Sequence, residues 1–345
     1  MSSSSPSGFT AHNVRLDDGT QTLPAVGATM DQMADYRCVK NMLQVVYPGG
    51  FAGKSLVDLG CLEGGFTAEF ARLGLEATGI EVREQNLKNA RYLKEKLNLP
   101  NLHFKNDDAW NVGAHGPFDV IFCVGLYYHI EDANRFLEVL SDACRKIIFL
   151  DTHLAPEDDD HPAMAIHRLS PLTEHEGMRG RWYPEHDLDP DAVEELEALE
   201  TLKWASWRNK RSFWPTKAAL IDAMKRAGFD VVVEGFDTLA GNAAYELSSA
   251  GWHYQHNRWM MIGIKLDEGA AAKPRMAARP PRPAPATIAQ PPAPPPKYRP
   301  GDEPKTLAAV EAENAALREA LAAVHASTSW KLTAPLRGLK RSVGG

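Results

Sequence analysis

An α/β fold built on an open, mostly parallel sheet is the architecture that this sequence predicts, and three observations carry the prediction. Short apolar runs rich in β-branched residues alternate with segments of helical periodicity from Lys54 to Lys265. The first run ends in a glycine turn, "VDLGCLEGGF", which opens directly into the helical pattern "TAEFARLG". Two further runs, "DVVVEG" and "RWMMIGIK", close the series as a strand pair.

Taken in order, residues 1–30 are Ser-rich and then turn-like, with "LDDG" a hairpin signal, and read as a flexible N-terminal segment. "DQMADYRCVKNMLQVV" follows with the apolar spacing of a leading helix. Strands are expected at "SLVDL", "EATGIE", "NLHFK", "FDVIFCV" and "KIIFLD", with helical crossovers between them. Residues 152–210 interrupt the alternation with acidic clusters, histidines and aromatic residues. A loop-rich insertion of that length in a compact domain is usually functional, so it is the expected site of substrate recognition. In "SFWPTKAALIDAMKRAGF", Thr216 is placed to cap a helix whose apolar face is Leu220, Ile221 and Met224, and Gly228 supplies a left-handed stop. The catalytic domain therefore spans 31–265.

Composition changes after Lys265. Twelve of the 24 prolines fall between Pro274 and Pro304, so 266–304 should be an extended, disordered spacer. Beyond it Leu307, Val310, Asn314, Leu317, Leu321 and Val324 recur at alternating spacings of three and four, predicting a short coiled coil over 305–328 with one polar seam position. Residues 329–345 form a basic amphipathic tail.

The 345 residues, 44% of them hydrophobic, suffice for one sizeable core. A formal charge of −7 provides no general attraction to phosphate backbones, so nucleic acid is not an expected partner without a local basic patch. Cys38, Cys61, Cys123 and Cys144 are widely spaced, with no CxxC pair, and read as reduced core residues. With neither a signal-like start nor a long apolar run, the protein is expected in the cytoplasm.

The glycine turn narrows the ligand. A dinucleotide site wants G-x-G-x-x-G, and although Gly60 and Gly65 fit, the position where backbone must approach a pyrophosphate is Leu62. Glu63 adds negative charge beside the helix N-terminus that would otherwise attract phosphate. "GKS" at 53–55 precedes a strand, whereas a phosphate-binding loop follows one. NAD and FAD are thereby disfavoured. A ligand with a ribose, no phosphate and a positive sulfonium suits an acidic glycine turn.

On these residues the sequence resembles the class I S-adenosylmethionine-dependent methyltransferases, from about Ser55 to Lys265. The resemblance rests on Asp58, Gly60, Gly64 and Gly65 after the first strand, Glu81 in "TGIEVRE" after the second, Asp108 in "NDDAW" after the third, and "FDVIFCVGLYYHIED" at the fourth. Leu62 departs from it, standing where many members have glycine. The resemblance implies a Rossmann-like sheet of seven strands, mostly parallel with the last antiparallel, and helices on both faces. It implies S-adenosyl-L-methionine as cofactor, held by Asp58, Gly60, Gly64, Glu81, Asp108, Ala109 and Val124; no metal ligand is assigned. Other readings stay open: Asp58 as a brace of the turn, Glu81 as a surface acid, Asp107 rather than Asp108 facing adenine, Trp110 as core.

Methyl transfer depends chiefly on alignment of donor and acceptor, and a base is needed only when the acceptor must lose a proton. His129 in "GLYYHI" and His153 in "LDTHL" follow the fourth and fifth strands, at the sheet edge where ligands bind, and are the candidate bases. Asp158, Asp159, Asp160, His161, His167, Glu185 and His186 match no metal spacing and read as a solvated acidic loop. Six of the eight tryptophans lie between Trp182 and Trp259, and "KWASWRNKRSFWP" interleaves them with Lys203, Arg208, Lys210 and Arg211. That pattern suits a base with its phosphate, a sugar ring, or simply a cover over the sheet.

The expectation is O-methylation of a carbohydrate or other small molecule in bacterial surface-glycan synthesis, because "STSWKLTAPLRGLKR" is similar to tails of bacterial polysaccharide-biosynthesis proteins. A tRNA wobble-uridine modifying enzyme is the alternative, similar in "GLYYHI" and the later "FWPTKAALIDAMKRAGF". A non-catalytic scaffold is a third. Residues 307–324 offer a homodimer seam, and the tail offers a contact with a membrane surface or a glycosyltransferase.

Overall fold

The computed structural model describes residues 8–189, 192–234 and 256–266. The chain divides into two units, 1–273 and 274–345, and the described residues all fall in the first. The proline-rich spacer, the heptad seam and the basic tail lie outside the described residues.

After helix α1 (Ala34–Val46) come β1 (Ser55–Leu59), α2 (Gly65–Arg72), β2 (Glu76–Glu81), α3 (Glu84–Lys96), β3 (Leu102–Asn106), α4 (Val112–His115), β4 (Phe118–Val124), α5 (Ala133–Ala143) and β5 (Cys144–His153). The insertion follows as α6 (Pro162–His167), β6 (Thr173–His175), β7 (Met178–Pro184), α7 (Leu196–Thr201) and β8 (Arg211–Pro215). Helix α8 (Lys217–Arg226), β9 (Val231–Glu234) and β10 (Arg258–Ile264) complete the described chain. The main sheet runs β3-β2-β1-β4-β5-β10-β9, and its seven strands are those the sequence predicts. Strands β1 to β5 pair in parallel, while β10 is antiparallel to both β5 and β9. Strand order reverses between β1 and β4, which opens a crevice beyond their carboxyl ends.

The sheet is apolar on both faces because helices cover both. Leu56, Val120, Phe122, Ile147 and Phe149 pack with α1, α2 and α3, whereas their alternates Val57, Ile121, Cys123, Ile148 and Leu150 pack with α4, α5 and α8. Thr216 caps α8 by accepting from the Ala219 amide, Leu220 and Met224 are buried, and Gly228 takes the left-handed stop at φ 106°. Among the described residues no helix is long and apolar enough to cross a membrane.

Two expectations need correction. The flexible segment expected over 1–30 does not describe residues 8–30, where Phe9, Val14, Leu16 and Met30 are buried in the core on the α1–α3 face. The Thr22 hydroxyl donates to the His12 carbonyl and accepts from the Val14 amide, so a turn-rich composition here encodes a folded strap. The second concerns 152–210, which is loop-rich as expected but also carries two helices and two strands that the sequence patterns do not predict. Its strands join β8 in a second, antiparallel sheet, β6-β7-β8, whose tight turn places Glu176 at φ 50° and Gly177 at φ 72°. A two-residue turn with both φ positive is what a hairpin needs, but Glu-Gly is a weaker signal of it than Asn-Gly.

This second sheet is tied to the end of β4. Phe213 donates its amide to the Ile130 carbonyl at 2.9 Å, and Trp214 donates its indole N–H to the Tyr128 carbonyl at 2.8 Å. Close approach of β7 and β8 depends on Gly180, where an added Cβ would lie 2.2 Å from the Trp214 carbonyl oxygen. That neighbour is backbone and cannot swing away. Gly180→Ala should therefore lower stability by at least about 1–3 kcal/mol in denaturant unfolding, as overpacking does.

Candidate active site

A cavity of about 370 Å³ opens at the carboxyl ends of β1, β2 and β4. Its floor takes in Asp58, Gly60, Glu81, Asp108, Ala109, Val124 and His129. Seven of the nine predicted site residues thus line one cavity. Gly64 and His153 are the exceptions.

Gly64 does not line the cavity. It is the left-handed N-cap of α2 at φ 78°, and an added Cβ there would lie 2.6 Å from the Phe104 ring, so its glycine is required by conformation and packing. Leu62 also holds a positive φ, 52°, without being glycine, and its amide donates to Glu81 Oε2 at 3.0 Å. The other Glu81 oxygen accepts the Arg83 amide at 2.8 Å. With the Leu62 and Arg83 amides on separate oxygens and Asn86 as a further donor, the carboxylate's lone pairs are not all used. Burial raises the Glu81 pKa. Asp58 accepts the Thr67 hydroxyl at 2.6 Å, and burial pushes its pKa up to about 7, the Thr67 hydrogen bond opposing. It therefore braces the turn while also lining the cavity.

Both acids after β3 reach the wall. Asp107 is held below the usual carboxylate range by Asn111 and His115, with the Asp108 amide as a further donor. Asp108 caps the short helical turn at Ala109–Asn111 and accepts Arg208 Nε at 2.7 Å. Trp110 lines the cavity yet also packs on Phe136, so it serves core and wall together.

Glu63 has a different use from the one its position suggested. It is fully buried, and it accepts the amides of Thr10, Ala11 and His12, the Thr10 hydroxyl, the Asn89 amide and Lys203 Nζ. Burial raises its pKa, but the donated backbone N–H groups prevail and hold it below the usual value. The helix N-terminus beside it is stoppered too, since His12 Nδ1 accepts the Gly65 amide at 2.9 Å. Burial lowers the His12 pKa to about 4 and keeps that ring neutral. A phosphate has no place there. Sequence patterns gave no hint of His12, because it comes from the strap.

A loop from the insertion, 203–209, forms the opposite wall. Arg83 anchors it by donating to the carbonyls of Leu199, Leu202, Ala205 and Ser206, with its guanidinium 5.3 Å from the Trp207 ring centre. Trp204 stands on the rim, 68% exposed. Three of the four cations of this stretch are internally matched: Lys203 to Glu63, Arg208 to Asp108 and Arg211 to Glu131.

His129 lies in a helical turn, Tyr127–His129, after β4. Its Nδ1 is 2.8 Å from Glu185 Oε1. Glu185 and His186, expected in a solvated acidic loop, are buried instead, with His186 Nε2 2.8 Å from the Ser206 carbonyl. His153 is turned into a ring cluster outside the cavity wall. It stacks on Trp214 with centroids 4.8 Å apart and directs Nδ1 to the His256 carbonyl at 2.8 Å. Burial and the nearby Arg258 lower its pKa to about 3, far too weak for a base near neutrality. The cavity lining also holds Arg258, bonded through Nε to Asp151 at 2.5 Å, and Asp35, whose pKa burial and the Asp151 charge raise to about 6.

Among the described residues, Asp132, His175 and Glu176 bring ligand-type atoms within 4.8 Å of one another, away from the cavity lining. Their atoms serve the start of α5, where Glu176 accepts the Arg135 amide and His175 meets Asp132 at 3.2 Å.

Asp58 sets a pH dependence. Its folded pKa lies above the ordinary value, so the stability it confers is full below about pH 4 and is lost as pH rises through about 7. Asp58→Asn should accordingly gain stability relative to the parent at pH ~7.5 but not at pH ~4 in paired denaturant titrations.

A family model described as a methyltransferase domain matches residues 30–234. The ubiquinone biosynthesis O-methyltransferase of Psychrobacter cryohalolentis is 33% identical over 102 residues, covering 29% of this chain and 38% of that protein. The enzyme of the same description from Acinetobacter baylyi is 26% identical over 104 residues, covering 30% of this chain and 42% of that protein. The aligned part thus spans well under half the length of these relatives. A crystal structure of the N-terminal domain of EvdMO1 with SAH bound aligns at TM-score 0.50 and 19% identity, covering 75% of this chain and 90% of that one, a likeness of fold. The family match takes in more than half of the 345 residues and spans the cavity floor from Asp58 to His129, and on that ground the chain belongs to the methyltransferase domain family.

Proposed function

We propose that this chain is an S-adenosyl-L-methionine-dependent O-methyltransferase whose acceptor is a hydroxyl of a carbohydrate or another polar small molecule. The observation that carries the reading is the imidazole of His129 on the wall of a cavity whose floor bears Asp58, Glu81 and Asp108. The floor suits a nucleoside without phosphate: Glu81 keeps acceptor capacity for a ribose diol, and His12 fills the helix end that a phosphate would need. When bound, the cofactor supplies a methyl group on a positively charged sulfonium. Asp58 and Glu81 would favour that charge, and Asp108, Ala109 and Val124 would line the remainder of the cofactor site. His129 then accepts the acceptor's proton at Nε2 as the oxygen takes the methyl group.

A polar, ring-shaped acceptor is favoured by the exposed Trp204 and by Asp35 and Arg258 in the cavity lining, Arg258 being bonded to Asp151 behind it. The similarity of the C-terminal segment to polysaccharide-biosynthesis proteins supports a glycan pathway. The basic cluster adds little to the tRNA reading, because three of its four cations, Lys203, Arg208 and Arg211, are matched by acids of the same chain.

The test is to incubate the protein with methyl-labelled S-adenosylmethionine and separate fractions of cell glycan, nucleotide-sugars, phenolic small molecules and tRNA. Label in a glycan or nucleotide-sugar fraction supports the reading, and label confined to tRNA overturns it. On the labelled acceptor, His129→Gln should reduce turnover about 10²- to 10⁴-fold with cofactor affinity retained. Glu81→Ala should instead weaken calorimetric binding of S-adenosylhomocysteine by roughly 1.5–3 kcal/mol, the loss typical of charged hydrogen bonds.

A further inference from the structure

We infer that Glu185, from the inserted sheet, is the positioning residue that fixes the proton of His129 on Nδ1 and so leaves Nε2 unprotonated toward the acceptor. The inference rests on His129 being the base. Glu185 has a side chain only 1% exposed and no contact with the cavity, yet its two oxygens collect three partners. Oε1 meets His129 Nδ1 at 2.8 Å and accepts the Ser212 hydroxyl at 2.6 Å, while Oε2 accepts the Ser206 amide at 3.0 Å. Burial raises the Glu185 pKa, but the hydrogen bonds it accepts from His129, Ser212 and Ser206 outweigh it and hold the group below the usual value. An ionised carboxylate only accepts, so the nitrogen that faces it carries the hydrogen.

The same partners tie the base to the cavity wall. Ser206 belongs to the 203–209 loop, and Asn209 of that loop donates its side-chain amide to the His129 carbonyl at 2.8 Å. Glu185 thus joins β8, through Ser212, to the loop and to the base. The insertion contributes the orientation of a proton as well as a wall.

Replacing the carboxylate by an amide makes the role visible. In Glu185→Gln the Ser206 amide still requires an acceptor, which places the Gln carbonyl oxygen at the Oε2 position and its NH₂ toward His129. Nδ1 must then accept, and the hydrogen moves to Nε2, the tautomer unable to take the acceptor's proton. The experiment is two-bond proton–nitrogen correlation on the full chain carrying isotope-labelled histidine, with S-adenosylhomocysteine added and the His129 signals identified by their loss in His129→Gln. The parent protein should show His129 with hydrogen on Nδ1, and Glu185→Gln should show it on Nε2. On the acceptor labelled in the methyl-transfer assay, Glu185→Gln should lose about 10²-fold or more in turnover with unchanged affinity for S-adenosylhomocysteine, and Glu185→Asp should restore part of it.

Hydrogen on Nε2 in the parent overturns the inference without need of any variant. Hydrogen retained on Nδ1 in folded Glu185→Gln overturns it equally. Full turnover in Glu185→Gln beside a loss in His129→Gln removes the positioning role and leaves the base standing. Full turnover in His129→Gln removes the base, and the inference falls with it.

Discussion

The carboxylate of Glu63 is the point on which the rest of the site hangs. It belongs to the glycine turn, but its donors come from the strap, from α3 and from the insertion, so one buried charge gathers segments distant in sequence around the cavity. Such a charge is costly to bury unless nearly every lone pair is used, and here backbone amides use them. The strap is folded because that carboxylate needs its N–H groups, and the loop at 203–209 lies close because Lys203 does as well. Arg83 repeats the arrangement from the next strand, spending its guanidinium on carbonyls of the loop and its approach.

The inserted sheet matters for a related reason. A histidine at the end of a parallel strand can point in several directions, and the crossover fold does not choose among them. The choice is made by β8, which bonds to the backbone on both sides of His129, while Glu185, just after β7, engages its ring. The acids of the cavity are therefore a property of the sheet, whereas the placing of His129 is a property of what is added to it.

The parts legible in the sequence are those dictated by short-range patterns. Alternating apolar runs located all seven strands, and the acids at strand ends located Asp58, Glu81 and Asp108, because topology alone brings the carboxyl ends of neighbouring parallel strands together. What stayed hidden depends on contacts between distant segments. Nothing near residue 12 announces a histidine that caps a helix beginning at residue 65, and "WYPEHD" reads as a polar loop until Ser212, Ser206 and His129 surround Glu185. His153 had the right strand end, but stacking on Trp214 turned it aside. Gly64 had the right motif position and proved to answer the crowding of Phe104. The Glu-Gly turn at 176–177 concealed the hairpin, since its first residue is not one that favours a left-handed backbone.

The neutral ring of His12 at the head of α2 divides ligand choice between two stretches of chain. Glycine spacing at 60–65 is the customary place to read which nucleotide a fold of this kind accepts, yet here the anion-attracting amide is already occupied by a residue from the strap. Transplanting a dinucleotide-type glycine pattern into the turn would leave that occupant in place. Ligand identity in this protein is thus written partly outside the motif that usually declares it, in a segment whose own sequence looks like filler.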